Sequence, residues 1–351
     1  MEVELKIRPQ PDFEGRLRRV LVRDGLPDRV PFFELFADNE IMAAILGRPV
    51  NSIADVIEYQ YRLGYDFVKV DVAGFDLPTE GYGFAQDTAP LPHTVRAFHT
   101  ASMGVIRTWE DFERYPWPKP ENIDFSPLEE AARLLPEGMK LIVLRGHQLE
   151  SPMALMGFEG LSFALADQPD LVEAVFQRVG ELELYCYQNC AQMDAVGAME
   201  ISDDLGFKSG TLISPAALRR YVFPWYKRFV EATHAAGKPV ILHSCGNLEA
   251  VMEDIIACGI DAKHSFEDQI MPVTEFKQRY GDRMAALGGL DMDFLCRRTP
   301  DEIRARVREI MEVCMPGGGY AFGTGNTVAN YVPVENFLAA LDEAWKVGSY
   351  R

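Results

Sequence analysis

An α/β fold, a single (β/α)8 TIM barrel with an insertion between its second and third strands, is what this sequence predicts. Three observations point there. Short apolar runs alternate with longer helical patterns along the chain, and there are eight such runs. Most of the runs are apolar at nearly every position, as parallel strands covered on both faces should be. No glycine-rich phosphate turn follows an early strand, which counts against a doubly wound open sheet.

The predicted strands are Val30–Phe36, Phe67–Val72, Leu141–Arg145, Ala198–Ser202, Val240–Ser244, Ala262–Phe266, Met284–Gly288 and Tyr320–Gly323. Between them lie helices with start and stop signals. Ser214 followed by Pro215 reads as an N-cap with proline at the first helical position. That pattern runs to Ala236, is stopped by Gly237, and should be broken by Pro224. Asn247 or a neighbour starts a helix over Val251–Ala257. Thr299-Pro300-Asp301-Glu302 opens another that ends before Pro316, and Pro333 opens the last.

The segment from about 74 to 140 is too long for a simple connection. It holds hairpin material at Thr94–His99 and Gly104–Arg107 and a Pro/Trp-rich stretch at 115–120. It reads either as a cover for substrate or as a flap without ligand contact. No linker divides the chain, so residues 1–351 read as one domain.

Composition narrows the function classes. Of 351 residues, 48% are hydrophobic, enough for a large core. A formal net charge of −18 argues against a nucleic-acid backbone and against anionic membrane surfaces as partners, since both need clustered Lys and Arg. No run is long and apolar enough for a membrane span, and the first residues lack the pattern of a secretory signal. The six cysteines are scattered, as in a protein of the reducing cytoplasm.

His243-Ser244-Cys245 is the most informative motif. Residues two apart on a strand face the same way, so an imidazole and a thiol emerge together where the strand becomes a loop. Both donors suit zinc. The competing reading is a buried thiol packed beside a hydrogen-bonded histidine.

Chemistry in such barrels sits at the C-terminal ends of the strands. Those ends carry Glu34, Asp71, Arg145, His147, Asp203, Asp204, His243, Cys245, Glu267, Asp291, Thr324 and Asn326. Glu267, one helix and one strand after Cys245, is a candidate oxygen ligand; its bland alternative is a salt bridge to Lys263 or Arg279. Of Asp203 and Asp204 one should face the centre, with Asp204 favoured. Asp204 and Asp291 are candidate catalytic residues; Asp71, Arg145, His147 and Asn326 are candidate substrate-binding residues. His264 reads as a core or supporting residue rather than a ligand.

At this point the chain resembles the uroporphyrinogen decarboxylase superfamily. The resemblance rests on Arg16-Leu17-Arg18-Arg19 with Asp28-Arg29-Val30-Pro31, on Ser151-Pro152-Met153 through Glu159, on Gln168-Pro169-Asp170-Leu171-Val172, and on Gly288-Gly289-Leu290-Asp291 and Pro333-Val334-Glu335-Asn336. Decarboxylases of that superfamily carry an Arg-Gln-Ala-Gly-Arg clamp for substrate carboxylates. Phe32-Phe33-Glu34-Leu35-Phe36 stands there instead.

Its corrinoid-linked methyltransferase branch carries a His-x-Cys zinc motif, which His243-Ser244-Cys245 matches. That branch has a further cysteine ligand in a turn that reads Gly323-Thr324-Gly325-Asn326 here. A fold relative, cobalamin-independent methionine synthase, has a Glu ligand at a separation like that of Glu267. The resemblance thus implies Zn2+ held by His243, Cys245 and Glu267, a small-molecule thiol as methyl acceptor, and a small corrinoid-binding protein as partner and methyl carrier. It also implies a homodimer. The alternatives it leaves open are a tetrapyrrole decarboxylase and a corrinoid- or tetrapyrrole-binding protein without catalysis.

Overall fold

The computed structural model of the chain describes residues 7–79, 82–86, 89–91, 95–99 and 103–350. In chain order the strands are β1 (Phe67–Val70), β2 (Tyr82–Gln86), β3 (Val95–His99), β4 (Lys140–Arg145), β5 (Val196–Ser202), β6 (Gly206–Phe207), β7 (Gly210–Thr211), β8 (Val240–His243), β9 (Ala262–His264), β10 (Ala285–Leu287) and β11 (Tyr320–Ala321). Seven of them form one parallel sheet in the order β1-β4-β5-β8-β9-β10-β11. Sequential parallel neighbours joined by helices are what the barrel reading requires. Every residue of β5 and β8 is buried, which explains their apolar character on both faces.

The predicted first strand, Val30–Phe36, is a correction. Only Phe32 bridges in parallel to Phe322, with Phe33 N–H donating to the Phe322 carbonyl (2.8 Å) and Phe322 N–H to that of Pro31 (2.9 Å). Pro31 has no N–H to extend the ladder. The segment is nevertheless seated tightly: a Cβ on Gly323 would lie 1.7 Å from the Phe33 carbonyl oxygen, so only glycine permits this approach. Between this segment and β1 the seam is made by side chains. The Phe33 and Phe67 rings stack at 5.3 Å, and Phe32 meets Tyr65 edge-on at 5.8 Å. The arrangement fits a (β/α)8 barrel whose eighth staple is aromatic packing rather than a backbone ladder.

The helices follow their signals. Ser214 Oγ accepts from Ala217 N–H and opens Pro215–Tyr221; the pattern breaks at Val222 and resumes as Phe223–Ala235. Thr299 and Glu302 form a reciprocal capping box for Pro300–Cys314, and Pro333 precedes Val334–Val347. Asn247 Oδ1 accepts from Glu249 N–H just before the short 3-10 turn Glu249–Val251, which leads into Met252–Ala257.

The 74–140 segment departs from its expected detail. Val95–His99 pairs antiparallel with Tyr82–Gln86, not with Gly104–Arg107; Thr94 lies outside the described residues. Gly104 and Ile106 instead donate their N–H groups to the carbonyls of Met156 and Leu155. Helix Ser126–Leu134 packs on β1 and β4 as an ordinary crossover helix would. All six cysteines are free thiols. No helix among the described residues is long and apolar enough to cross a membrane.

Candidate metal centre

The ends of β5, β8 and β9 build the site. Ser202 pairs with His243, and His243 with His264, so three strands deliver their last residues at one level. Beyond the strands the chain stays zipped. Asp203 N–H donates to the His243 carbonyl (3.0 Å), Leu205 N–H to Ser244 Oγ (2.9 Å), and Asn247 N–H to the Phe207 carbonyl (2.9 Å). Glycine makes the last contact possible, because a Cβ on Gly246 would lie 2.2 Å from the Gly206 carbonyl carbon. Lys263, buried beneath, donates from Nζ to the carbonyls of Ser244 and Ser265, bracing both loops that flank the thiol.

Within this frame the two adjacent acids diverge. Asp203 is fully buried and accepts from Leu149 N–H (2.8 Å), Glu150 N–H (2.9 Å) and Tyr226 O–H (2.8 Å). Burial, followed by the charge of Glu150, pushes its carboxyl up to about 8. Asp204 turns to the other side. Its Oδ1 accepts from Cys245 N–H at 2.8 Å and lies 3.7 Å from His243 Nε2.

Cys245 Sγ is 3.6 Å from His243 Nε2 and takes donors from Asn326 Nδ2 (3.1 Å) and Ser265 Oγ (3.7 Å). Burial, reinforced by the Asp204 charge, raises the thiol to about 12. Burial, then the neighbouring His264, lowers His243 well below the ordinary imidazole range. Both shifts favour the uncharged forms, thiol and neutral imidazole.

One nitrogen, one sulfur and one oxygen donor of Asp204, His243 and Cys245 all lie within 4.8 Å of one another. Three lone-pair donors converge, and no Lys or Arg side chain is hydrogen-bonded to any of them among the described residues. This mixed set fits a divalent ion of zinc's character, which accepts imidazole, thiolate and carboxylate ligands and leaves a further position open in catalytic sites.

The profile of the uroporphyrinogen decarboxylase (URO-D) family matches residues 101–346. The chain belongs to this family. Among its relatives, the methylcobamide:CoM methyltransferase MtaA of Methanosarcina barkeri is 27% identical over 161 residues, 45% of this chain and 44% of that protein. The uroporphyrinogen decarboxylase of Geobacter sulfurreducens is 23% identical over 328 residues, 88% of this chain and 85% of that protein. A methyltransferase structure from Methanosarcina mazei superposes with a TM-score of 0.70 at 16% identity, covering 96% of this chain and 99% of that one. At that identity the likeness is one of fold. The chain spans about half the length of the methyltransferase relatives it matches.

The other predicted residues of this URO-D family chain are distributed as follows. Glu267 is exposed, three residues beyond the end of β9, and does not join the donor set; nor does it pair with Lys263 or Arg279. The oxygen atom in the convergent group is that of Asp204. Asp291 is a helix N-cap, Oδ1 accepting from Phe294 N–H (3.0 Å) and Oδ2 from Asp268 N–H (2.9 Å). Asn326, chosen as a substrate contact, touches the Cys245 sulfur.

Arg145 is buried in a bidentate pair with Glu183 (2.7 and 3.1 Å) and reaches Asp71 at 3.1 Å. Burial works against its charge, but Glu183 and Asp71 outweigh it and raise its pKa. His147 lies 3.3 Å from Glu150, and with Phe75, Leu77 and Arg145 it lines an open cleft. Sequence reasoning missed Ser265 as a donor to the thiol. Its position one residue past a strand end, beside His264, was the only available signal.

Proposed function

We propose that this protein is a zinc-dependent methyltransferase that moves a methyl group from a corrinoid to a thiol acceptor. The observation that carries this is the convergence of the Asp204, His243 and Cys245 donors within 4.8 Å of one another. The matched stretch of MtaA, a methylcobamide:CoM methyltransferase, supports the same direction. The zinc ion would be held by these three residues, and when bound it would lower the pKa of an acceptor thiol enough to make it nucleophilic at neutral pH.

The chain's own groups have defined tasks. Asn326 Nδ2–H and Ser265 Oγ–H moderate charge on the Cys245 sulfur, and Cys245 N–H fixes the Asp204 carboxylate. The cleft beside His147 and Arg145 would orient substrate at the adjoining strand ends. In the transfer the acceptor sulfur gains the methyl carbon, the thiol proton leaves, and the electron pair of the broken bond stays with the corrinoid. A small corrinoid-binding protein would be the natural carrier of that group.

Two measurements test this. Elemental analysis of the purified chain should give close to one zinc per polypeptide. Methylcobalamin should be demethylated only when a thiol such as coenzyme M is added, and a chelator should stop the reaction. A chain without zinc after growth in zinc-rich medium, and inert in this assay, overturns the proposal. One observation favours a second reading: the match to a decarboxylase extends over more of the chain than the match to MtaA. Turnover of uroporphyrinogen to coproporphyrinogen would establish it.

A further inference from the structure

Behind the donor set lies a line of buried hydrogen bonds that the three ligands alone do not explain. His264, fully buried, places Nδ1 2.8 Å from His243 Nδ1 and Nε2 3.0 Å from the Thr324 carbonyl oxygen. Thr324 is held in turn. Its N–H donates to both oxygens of buried Glu34 (3.0 and 3.1 Å), its hydroxyl shares a hydrogen bond with Glu34 Oε2, and its carbonyl also accepts from Gly289 N–H (3.2 Å). Gly288 is what makes room. At φ +85° it sits where a Cβ would lie 2.3 Å from the Thr324 oxygen and 2.9 Å from His264 Nε2.

The directions of these bonds follow by elimination. A carbonyl oxygen only accepts, so His264 Nε2 carries the hydrogen. Nδ1 of this fully buried ring faces only His243 Nδ1, with no carboxylate bonded to it among the described residues, so the neutral ring carries its single hydrogen on Nε2. His264 Nδ1 is therefore an acceptor. A contact of 2.8 Å between two ring nitrogens needs one proton between them, and it must come from His243 Nδ1. The hydrogen of a neutral His243 is then spent on its inner face, which leaves the Nε2 lone pair bare toward Cys245 and Asp204.

We infer that His264 is a positioning residue: anchored through Thr324 to Glu34, it sets the tautomer of His243 that presents Nε2 as an electron-pair donor. This deepens the zinc reading given above and rests on it for its purpose, though not for its geometry. Partners of this kind, on the far nitrogen of a ligating histidine, fix ring orientation and tautomer, and their loss costs roughly ten- to hundredfold in metal affinity.

The experiment is histidine-resolved 15N NMR on the full chain after stripping with chelator, for wild type, His264→Phe and His264→Asn. Wild-type His243 should show the Nδ1–H tautomer and His264 the Nε2–H tautomer. In H264F, with no acceptor, His243 should revert toward Nε2–H, and chelator competition should give a zinc affinity roughly ten- to hundredfold weaker. H264N, whose amide oxygen can still accept, should keep much of both. Wild-type His243 in the Nε2–H form overturns the inference even if H264F does not fold, and so does an unchanged tautomer in folded H264F. If instead the tautomer behaves as stated but wild type takes up no zinc, the relay stands and the methyltransferase proposal falls.

Discussion

Two polar clusters, each only partly buried, sit at neighbouring strand ends, and they differ in what they lack. At the mouth of β4, Arg145 is surrounded by Glu183 and Asp71, each guanidinium nitrogen bonded to a carboxylate, with Phe75 beneath the guanidinium at 3.8 Å. Every guanidinium nitrogen is hydrogen-bonded within the cluster, and a fixed bidentate pair of this kind is a structural element. At the mouths of β5 and β8, Asp204, His243 and Cys245 bring together three electron-pair donors with no Lys or Arg bonded to them among the described residues. Burial alone therefore does not mark a site for a metal. What separates the second cluster is a mixed imidazole, thiol and carboxylate set with no Lys or Arg hydrogen-bonded to it among the described residues.

Breaking the second cluster should produce the largest change. Cys245→Ser replaces a soft, ionisable ligand by a hydroxyl that zinc does not deprotonate readily, so zinc content should drop from about one per chain to near zero. Methyl transfer should fall by at least about 100-fold with it, because each lost kcal/mol of a several-kcal/mol interaction multiplies in rate. Thermal unfolding of the metal-free protein should shift little, since Cys245 is only partly buried. A C245S protein that retains full zinc would remove the distinction between the clusters.

Breaking the first cluster should do the reverse. Arg145→Met leaves Glu183, fully buried, without its partner, and loss of one member of a buried pair costs about 3–5 kcal/mol. Denaturant unfolding of the zinc-free protein should show that loss while zinc content per folded chain stays at the wild-type value. Zinc lost in proportion to stability would mean that the clusters are one unit.

A pH-dependent effect comes from Glu34, which anchors the back of the site. Burial, only partly offset by its bonds from Thr324, pushes its carboxyl to about 8 from an ordinary value of 4.5. The folded state thus holds a proton that the unfolded state releases from about pH 4.5 upward. The stabilisation from that proton is complete below the unfolded pKa, declines at up to about 1.4 kcal/mol per pH unit through the window, and is gone above about 8. Glu34→Gln should flatten that part of the stability profile between pH 5 and 8, read as the wild-type-minus-variant difference in unfolding free energy. A difference that does not vary with pH would place the carboxyl in its ionised form throughout.

Much of this arrangement is legible in the sequence, for reasons that also mark where reading stops. The i, i+2 alternation of a strand is local, so the joint emergence of His243 and Cys245 followed from spacing, as did the helix start at Thr299 and the proline break near Pro224. The failed strand over Val30–Phe36 was a local reading of apolar pattern; the ladder ends on one side at Pro31, which has no N–H, and on the other where Thr324 N–H donates to the Glu34 carboxylate. The tautomer relay was out of reach. Glu34 and Thr324 are 290 positions apart, and no periodicity predicts that they meet.

The choice between Asp204 and Glu267 as oxygen donor makes the boundary sharpest, and it gives the smallest expected effect. Both β5 and β9 flank β8, so both acids were neighbours by topology. Asp204 stands two residues past the end of β5 and is turned inward by the Cys245 N–H, whereas Glu267 stands three residues past the end of β9, exposed to solvent. A difference of one residue in where a strand stops and one backbone bond decide it, and neither is encoded as a motif. Glu267→Gln should therefore leave zinc stoichiometry unchanged and affinity within about twofold, as for surface substitutions worth under about 0.5 kcal/mol. Asp204→Asn, which keeps a carbonyl oxygen for the Cys245 N–H but removes the charge, should weaken zinc far more. If chelator competition ranks the two variants the other way, the loop after β9 folds inward once metal is bound, and the donor set is the one read from the chain.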